Sequence, residues 1–115
     1  MAIERIKAGP RMSQAVVHGD TVYLSGQVAD DPNEDVAGQT RQILARIEGL
    51  LALAGTDKSK IVSANVWLSD ISTFGQMNAV WDEWVSAANP PARACVESRL
   101  ARPEYKVEIM VVAAL

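Results

Sequence analysis

Residues 89 to 113, NPPARACVESRLARPEYKVEIMVVA, contain two segments of alternating side chains behind a pair of prolines. The prolines end whatever element precedes them, because proline lacks the amide hydrogen and restricts the residue before it. The alternation predicts one strand from about Ala92 and a second over residues 106–113, which are rich in β-branched side chains. Residues 101–105, with their proline, are typical of a hairpin connection. We therefore predict two adjacent antiparallel strands.

Two of the charged residues in these segments, Arg93 and Glu108, have aliphatic neighbours on both sides. Arg93 carries a planar guanidinium, which can donate two parallel hydrogen bonds to a carboxylate. Glu108 suits water activation or proton transfer if burial raises its pKa. By residue type alone, a structural ion pair or a solvated strand edge is the commoner use of such charges. A functional pairing requires that both side chains reach one cavity.

The first part of the chain predicts a hairpin. Residues 14–18 and 21–25 flank Gly19-Asp20, and a glycine at the first centre of a two-residue loop is typical of a type II′ turn. An opening strand or irregular segment is expected within residues 1–12. Gly26, which follows the hairpin, fits either a bulge or a close approach of the backbone to a ligand or a neighbouring chain.

Two helices and another strand are predicted next. Apolar residues recur at helical spacing from Val36 to Ala54, and Gly55 is placed to end that helix. Residues 61–68 alternate as a strand, with Val62 on the same face as Leu68. A second helix, capped by Ser72 or Thr73, has a tryptophan-rich stripe that is more typical of a core than of a cofactor site. The stripe comprises Phe74, Met77, Val80, Trp81, Trp84, Val85 and Ala88.

The order of elements predicts the fold class. Strand, strand, helix, strand, helix, strand, strand (ββαβαββ) indicates an α+β domain with an antiparallel or mixed sheet and both helices on one face. At 115 residues the chain is expected to be a single domain, 1–115.

Composition excludes several functional classes. The net charge of −3 and the absence of a Lys/Arg cluster argue against nucleic acid as the main partner. With one cysteine, Cys95, the chain has no intramolecular disulfide and no cysteine cluster for a metal, so no metal is expected. No apolar run approaches the roughly 20 residues that a bilayer span needs, and the N-terminal residues lack a signal-peptide core. A soluble, cytoplasmic protein is therefore expected.

Several motifs resemble those of one known family. Residues 91–97, PARACVE, followed by KVEI at 106–109, are similar to the C-terminal signature of the RidA/YjgF family of reactive enamine/imine deaminases. Residues 22–27, VYLSGQ, and 39–44, QTRQIL, match in order, as does Asn78 ahead of its two tryptophans. The resemblance covers nearly the whole chain. It implies a chorismate-mutase-like fold, a homotrimer with small-acid sites between subunits, and hydrolysis of 2-aminoacrylate-like enamines and imines without a cofactor.

The resemblance also implies roles for individual residues. Arg93 would clamp the substrate carboxylate, and Glu108 would position or activate the attacking water. Ser25, Gly26 and Asn78 would line the pocket. Family members are often labelled endoribonucleases, a label to which the charge of this chain gives no support.

Three positions qualify this expectation. Cys95 could be a nucleophile, but such a thiol needs a nearby base, and the one histidine, His18, lies at the far hairpin turn. Cys95 is better interpreted as a small buried residue, whose family counterpart contributes mainly backbone to the ligand. Met12 stands near the place where many deaminases of the family carry an aromatic residue, which indicates a divergent subgroup with a larger preferred acid.

Two other functions remain open at this stage. The chain could be a non-catalytic trimer that binds small carboxylates such as 2-keto acids through Arg93 for sensing or regulation. It could also be a deaminase for a pathway intermediate such as an aminomuconate-like acid. The presence of both Arg93 and Glu108 favours an enzyme, since a carboxylate receptor has no need of the glutamate.

Overall fold

The structure, a computed structural model, describes residues 2–115 as six strands and two α-helices. Two short 3₁₀ turns, Lys58–Lys60 and Ile71–Thr73, precede a strand and a helix respectively. The elements in chain order are β1 (Ile3–Ile6), β2 (Ala15–His18), β3 (Thr21–Leu24), α1 (Val36–Ala54), β4 (Ile61–Leu68), α2 (Phe74–Trp84), β5 (Ala92–Glu97) and β6 (Val107–Ala114).

All six strands form one mixed sheet in the order β1-β2-β3-β6-β4-β5. Only β4 and β5 run parallel, because helix α2 connects them and returns the chain to the same end of the sheet. The predicted α+β class with a mixed sheet is confirmed, with β1 as a strand in addition to the seven predicted elements.

The predicted pairing of β5 with β6 is wrong. Strand β4 lies between them, parallel to β5 and antiparallel to β6. Residues 98–106 therefore form a crossing loop and not a hairpin, because they carry the chain past the end of β4 to its other edge. Both ends of this loop are tied to that point: the amide of Ser98 donates to Leu68 O at 2.9 Å, and the amide of Ser69 donates to Lys106 O at 3.1 Å.

The local signals for the first hairpin and for α1 are confirmed. Gly19 has φ 62° and no positive φ is found at Asp20, as a type II′ turn requires. Helix α1 begins where the carboxylate of Asp35 accepts a 2.8 Å hydrogen bond from the amide of Gly38. It ends at Gly55, whose φ of 89° is the left-handed conformation of a C-terminal cap.

The two helices cover one face of the sheet. The buried core combines the inward face of α1, three residues of α2 and alternate residues of the strands, such as Val107, Ile109 and Val111 in β6. Val62 is an exception to the predicted alternation, because a bulge between Ile61 and Ser63 leaves it 54% exposed.

The other face of the sheet has no helix over it. Its strands place the partly or fully exposed apolar side chains Val16, Tyr23, Trp67, Val96, Met110 and Val112 there. Tyr23 is 47% exposed and Val96 51% exposed. A contiguous apolar sheet face of this kind is typical of an interaction surface.

Gln39 fastens the crossing loop to the start of α1. The side chain is fully buried, and its Nε2 donates to the carbonyls of Pro32, Glu34 and Glu104 at 3.0 to 3.1 Å. Its Oε1 accepts from the amide of Lys106 at 2.9 Å. One amide thus satisfies four backbone groups that have no place in helix or sheet.

The variant Gln39→Leu should be destabilised by about 2–4 kcal/mol, because it leaves those buried backbone groups without partners. Urea unfolding at a fixed protein concentration measures the effect. Gln76→Leu, at an exposed position of α2, is the matched control and should change stability by less than about 0.5 kcal/mol. Equal midpoints for the two variants would contradict this role of Gln39.

Candidate active site

The guanidinium of Arg93 is held against helix α2. It lies on the helix-covered side of β5, because Arg93 is paired in register with the buried Ala64 of β4. Its Cζ is 5.1 Å from the ring centroid of Trp81 and 5.8 Å from that of Phe74, and its Nη1 is 4.0 Å from Met77 Sδ. These contacts hold the guanidinium against the two rings while using little of its hydrogen-bonding capacity. We call Phe74, Met77, Trp81 and Arg93 the arginine half-site.

Two other predicted residues lie beside the arginine half-site. Asn78 follows Met77 in α2, and its Oδ1 is the one buried side-chain N or O atom within residues 2–115 without a hydrogen-bond partner. Cys95 is two residues beyond Arg93 on the same side of β5. Burial raises the pKa of the Cys95 thiol, against a smaller opposite effect of Arg93. The thiol is therefore protonated at neutral pH, which disfavours its use as a nucleophile.

Glu108 lies on the other face of the sheet. Its partner in register is Trp67, on the face without helices. The carboxylate packs against the backbone of Gly26, where a methyl group would overlap Glu108 Oε2 and stand 3.0 Å from its Cδ. Ser25, Gly26 and Glu108, all partly exposed, form the second cluster, which we call the glutamate half-site. The close approach at Gly26 is to Glu108 of the same chain, whereas the sequence analysis expected a ligand or a neighbouring chain there.

Burial raises the pKa of Glu108 above its ordinary value of 4.5. The cause is desolvation, and within residues 2–115 no cation forms an ion pair with this carboxylate. A carboxylate with a raised pKa is a better proton acceptor at neutral pH than one free in water.

The two half-sites do not meet within one chain. Arg93 and Glu108 project from opposite faces of the sheet, on strands separated by β4. The structural ion pair favoured by residue type is therefore absent from residues 2–115. A single subunit presents a guanidinium at one place and a desolvated carboxylate at another.

Gly26→Ala should displace Glu108 without unfolding the protein, because Gly26 has no positive φ and its added methyl group meets the glutamate side chain. We expect a loss of activity of about 100-fold, the range for loss of general acid-base help. The rate of the reaction that the site catalyses measures the loss, and Gly49→Ala in α1, whose methyl group would meet nothing within 4 Å, is the control. An active Gly26→Ala enzyme would show that the close approach is dispensable.

A side-chain amide network behind Ser25 escaped the sequence analysis. Gln27 is 1% exposed and bonds to Gln14, Ser25 and Arg46. Glutamine in a strand-like segment gives no sign of burial, so the sequence could place Gln27 only within the family motif. The backbone of Gln27 also pairs with that of Ile109, next to Glu108: its N–H donates to Ile109 O at 2.8 Å, and its carbonyl accepts from Ile109 N at 3.1 Å.

The remaining predicted positions are peripheral to both half-sites. His18 is exposed at the first hairpin, as expected, and Met12 is 47% exposed. No group of three His, Cys, Asp or Glu side chains among residues 2–115 could hold a metal ion. Neither helix in this range has the length and apolarity to cross a membrane.

Comparison with known proteins agrees with the fold and with the motifs. The profile of the family described as Endoribonuclease L-PSP matches residues 2–115. The RutC family protein YoaB of Escherichia coli K12 is 42% identical over 115 residues, covering 100% of both chains. A RutC family protein of Haemophilus ducreyi is 42% identical over 113 residues, covering 98% of this chain and 97% of the relative.

Solved structures give the same result. A crystal structure of a YjgF family member from Neisseria meningitidis is 45% identical, with a TM-score of 0.97, covering 99% of this chain and 95% of that one. A protein of unknown function of the conserved Rid family, YyfA of Yersinia pestis, is 31% identical with a TM-score of 0.92, covering 99% of this chain and 100% of that one. The resemblance drawn from the motifs is confirmed: this chain belongs to the RutC/YjgF/Rid family, which the Endoribonuclease L-PSP profile describes.

Proposed function

We propose that this protein hydrolyses 2-enamine and 2-imino acids, such as 2-aminoacrylate, to 2-keto acids and ammonia without a cofactor. The observation that carries the proposal is the pair of complementary half-sites on one small chain. Arg93 is held against aromatic rings of α2 with N–H groups to spare, and Glu108 has a raised pKa and no ion-pair partner among residues 2–115. An anionic, electrophilic substrate needs these two groups and little more.

The proposed site is completed by a second copy of the chain. The half-sites face away from each other in one subunit, so Arg93 of one copy meets Glu108 of another. The apolar sheet face with Tyr23 and Val96 supplies a surface for that contact. A ring of three chains repeats the same heterologous interface and closes it, which is the homotrimer that the sequence resemblance implies.

The chemistry follows from the residue types. Arg93 binds the substrate carboxylate, and the Glu108 carboxylate accepts a proton from water as the water oxygen bonds to the imine carbon. The imine nitrogen takes that proton from Glu108 to give the carbinolamine. The carbinolamine hydroxyl then gives its proton to the Glu108 carboxylate, which passes it to the nitrogen as the C–N bond breaks, and ammonia leaves the 2-keto acid. An enamine first takes a proton from solvent at its terminal carbon and loses one from its nitrogen, which converts it to the imine. Because an imine is already electrophilic, positioning and proton transfer worth about 10² to 10⁴ in rate are sufficient.

Ser25, Gly26, Asn78 and the backbone near Cys95 complete the proposed substrate pocket. The orphaned Oδ1 of Asn78 is an acceptor without a partner in the subunit, and it suits the N–H of an imine. If the residue at position 12 reaches the pocket of the neighbouring copy, as the resemblance implies, Met12 in place of an aromatic ring favours an acid larger than 2-aminoacrylate. An aminomuconate-type substrate would use the same chemistry in that wider pocket.

The test is a coupled assay that generates 2-aminoacrylate and larger imino acids in solution and follows their decay. Decay that the wild type accelerates and that Arg93→Ala leaves at the spontaneous rate would support the deaminase and the role of Arg93 in binding the carboxylate. If neither protein accelerates any decay while both remain folded, the non-catalytic carboxylate-binding trimer becomes the better explanation.

A further inference from the structure

We propose that Arg46 and Gln27 are positioning residues that make the Ser25 hydroxyl a hydrogen-bond donor toward the substrate. The inference rests on the proposed function, because it assigns a role within the same pocket. It concerns the network that runs from the surface of α1 through the buried amide of Gln27 to the glutamate half-site.

The orientation of the Gln27 amide follows from Arg46. Arg46 Nε is 3.1 Å from Gln27 Oε1, and a guanidinium has donors and no acceptor. The oxygen of the amide must therefore face Arg46, and its NH₂ group must face the other way. Arg46 is itself anchored by an ion pair with Asp30, and its side chain keeps 36% of its surface in solvent. The arginine thus avoids the cost of a fully buried charge.

The orientation of Gln27 then sets that of its neighbours. Its Nε2 lies 3.0 Å from Ser25 Oγ, 3.1 Å from Ser25 O and 3.1 Å from Gln14 Oε1. All three are acceptors for the two N–H groups, so Gln14 must also present its oxygen. Ser25 Oγ therefore accepts a hydrogen bond from the Gln27 amide and has its own hydroxyl proton with which to donate one.

Two recipients compete for the Ser25 proton. One is Gln14 Oε1, at 3.2 Å, which already accepts from Gln27. The other is the substrate, because Ser25 is partly exposed beside Gly26 and Glu108. A 2.9 Å hydrogen bond from the backbone amide of Ser25 to the carbonyl of Gln14 holds the backbone of Ser25 in place while its hydroxyl changes acceptor. A substrate carboxylate or a developing carbinolamine oxygen is the stronger acceptor and takes the bond.

The central variant is Arg46→Gln, which removes the charged donor to Gln27 Oε1 and leaves the carbonyl of Ser25 as the one backbone group that still selects this amide orientation. We expect kcat/KM for imine hydrolysis to fall about 3- to 10-fold, the effect of one neutral hydrogen bond. Arg46→Lys, which keeps a charged donor, should recover part of the loss. Arg41→Gln, at an exposed position of the same helix, is the matched control and should retain full activity.

A double-mutant cycle separates positioning from simple destabilisation. If Arg46 acts through Ser25, Arg46→Gln should cost nothing further in a Ser25→Ala background. A second readout is hydrogen exchange of the Gln27 side-chain amide by NMR, with Gln27→Met used to assign the signal. The amide protons should be protected in the wild type and should exchange faster in Arg46→Gln.

These experiments distinguish failure of this inference from failure of the proposed function. Suppose that the wild type is active. The inference alone is overturned if the effects of Arg46→Gln and Ser25→Ala on kcat/KM multiply in the double variant, or if Arg46→Gln leaves the Gln27 side-chain amide protected from exchange. If the wild type hydrolyses no imino acid but binds pyruvate, the deaminase proposal fails and the same cycle is measured on pyruvate affinity. If the wild type neither hydrolyses an imino acid nor binds pyruvate, both the deaminase proposal and this inference are overturned.

Discussion

Arg93→Lys is expected to remain folded and assembled while kcat/KM for imino acids falls about 100-fold, the value of a lost charge-assisted hydrogen bond with its geometry. Lysine keeps the positive charge but loses the planar fork. It also loses the stacking arrangement between Trp81 and Phe74 that orients the guanidinium. Because the carboxylate is bound in ground and transition states alike, most of the loss should appear in KM.

The control for this prediction is Arg99→Lys. Arg99 lies just beyond β5 and is exposed, so its replacement changes the same functional group without touching the half-site. Steady-state kinetics on both variants, with circular dichroism to verify folding, measure the difference. Equal activity of Arg93→Lys and the wild type would show that charge alone is sufficient and that bidentate recognition is not used.

Glu108→Gln should bind a 2-keto acid product almost normally and hydrolyse imines about 10² to 10³ times more slowly, because the amide cannot accept the proton of the water. In the wild type, kcat/KM should fall on the acid side as Glu108 takes up a proton, with an apparent pKa above 4.5. The variant should lack this acid limb. Product binding by calorimetry and a pH–rate profile measure the two effects. A catalytic Glu108→Gln enzyme with an unchanged profile would remove Glu108 from the mechanism.

Glu108→Gln should also change how the free energy of unfolding depends on pH. Desolvation raises the folded-state pKa of Glu108, so the folded protein holds this proton more tightly than the unfolded chain. Ionisation then opposes folding as the pH rises through the unfolded and folded pKa values. Glu108→Gln should therefore gain stability relative to the wild type as the pH rises, and the difference should disappear well below pH 4.5. Unfolding midpoints across this pH range measure it.

Local structure could be predicted from the sequence because short-range chemistry determines it. Gly19 and Gly55 adopt the positive φ values that their turn and cap require, and the spacing of apolar residues gave both helices. The second stripe was only partly a core: Met77, Val80 and Trp81 are buried, while Phe74 is 41% exposed and shares the guanidinium with Trp81. Ala88 lies beyond the end of α2.

The order of strands could not be predicted in the same way. Alternation shows which face a residue occupies and leaves open which strand lies beside it, so β5 and β6 were wrongly placed together when β4 lies between them. The sequence also left open whether Arg93 and Glu108 reach one cavity. The structure puts the two side chains on opposite faces of the sheet.

The most direct test of the shared site is co-expression of Arg93→Ala and Glu108→Gln chains. If each site takes Arg93 from one subunit and Glu108 from its neighbour, every mixed trimer contains one interface with both native residues. Equal, random mixing makes about three quarters of the trimers mixed, so about one quarter of wild-type activity should return from two inactive parents. No activity beyond the sum of the separate variants, in a preparation shown to contain mixed trimers, would contradict a site built between subunits.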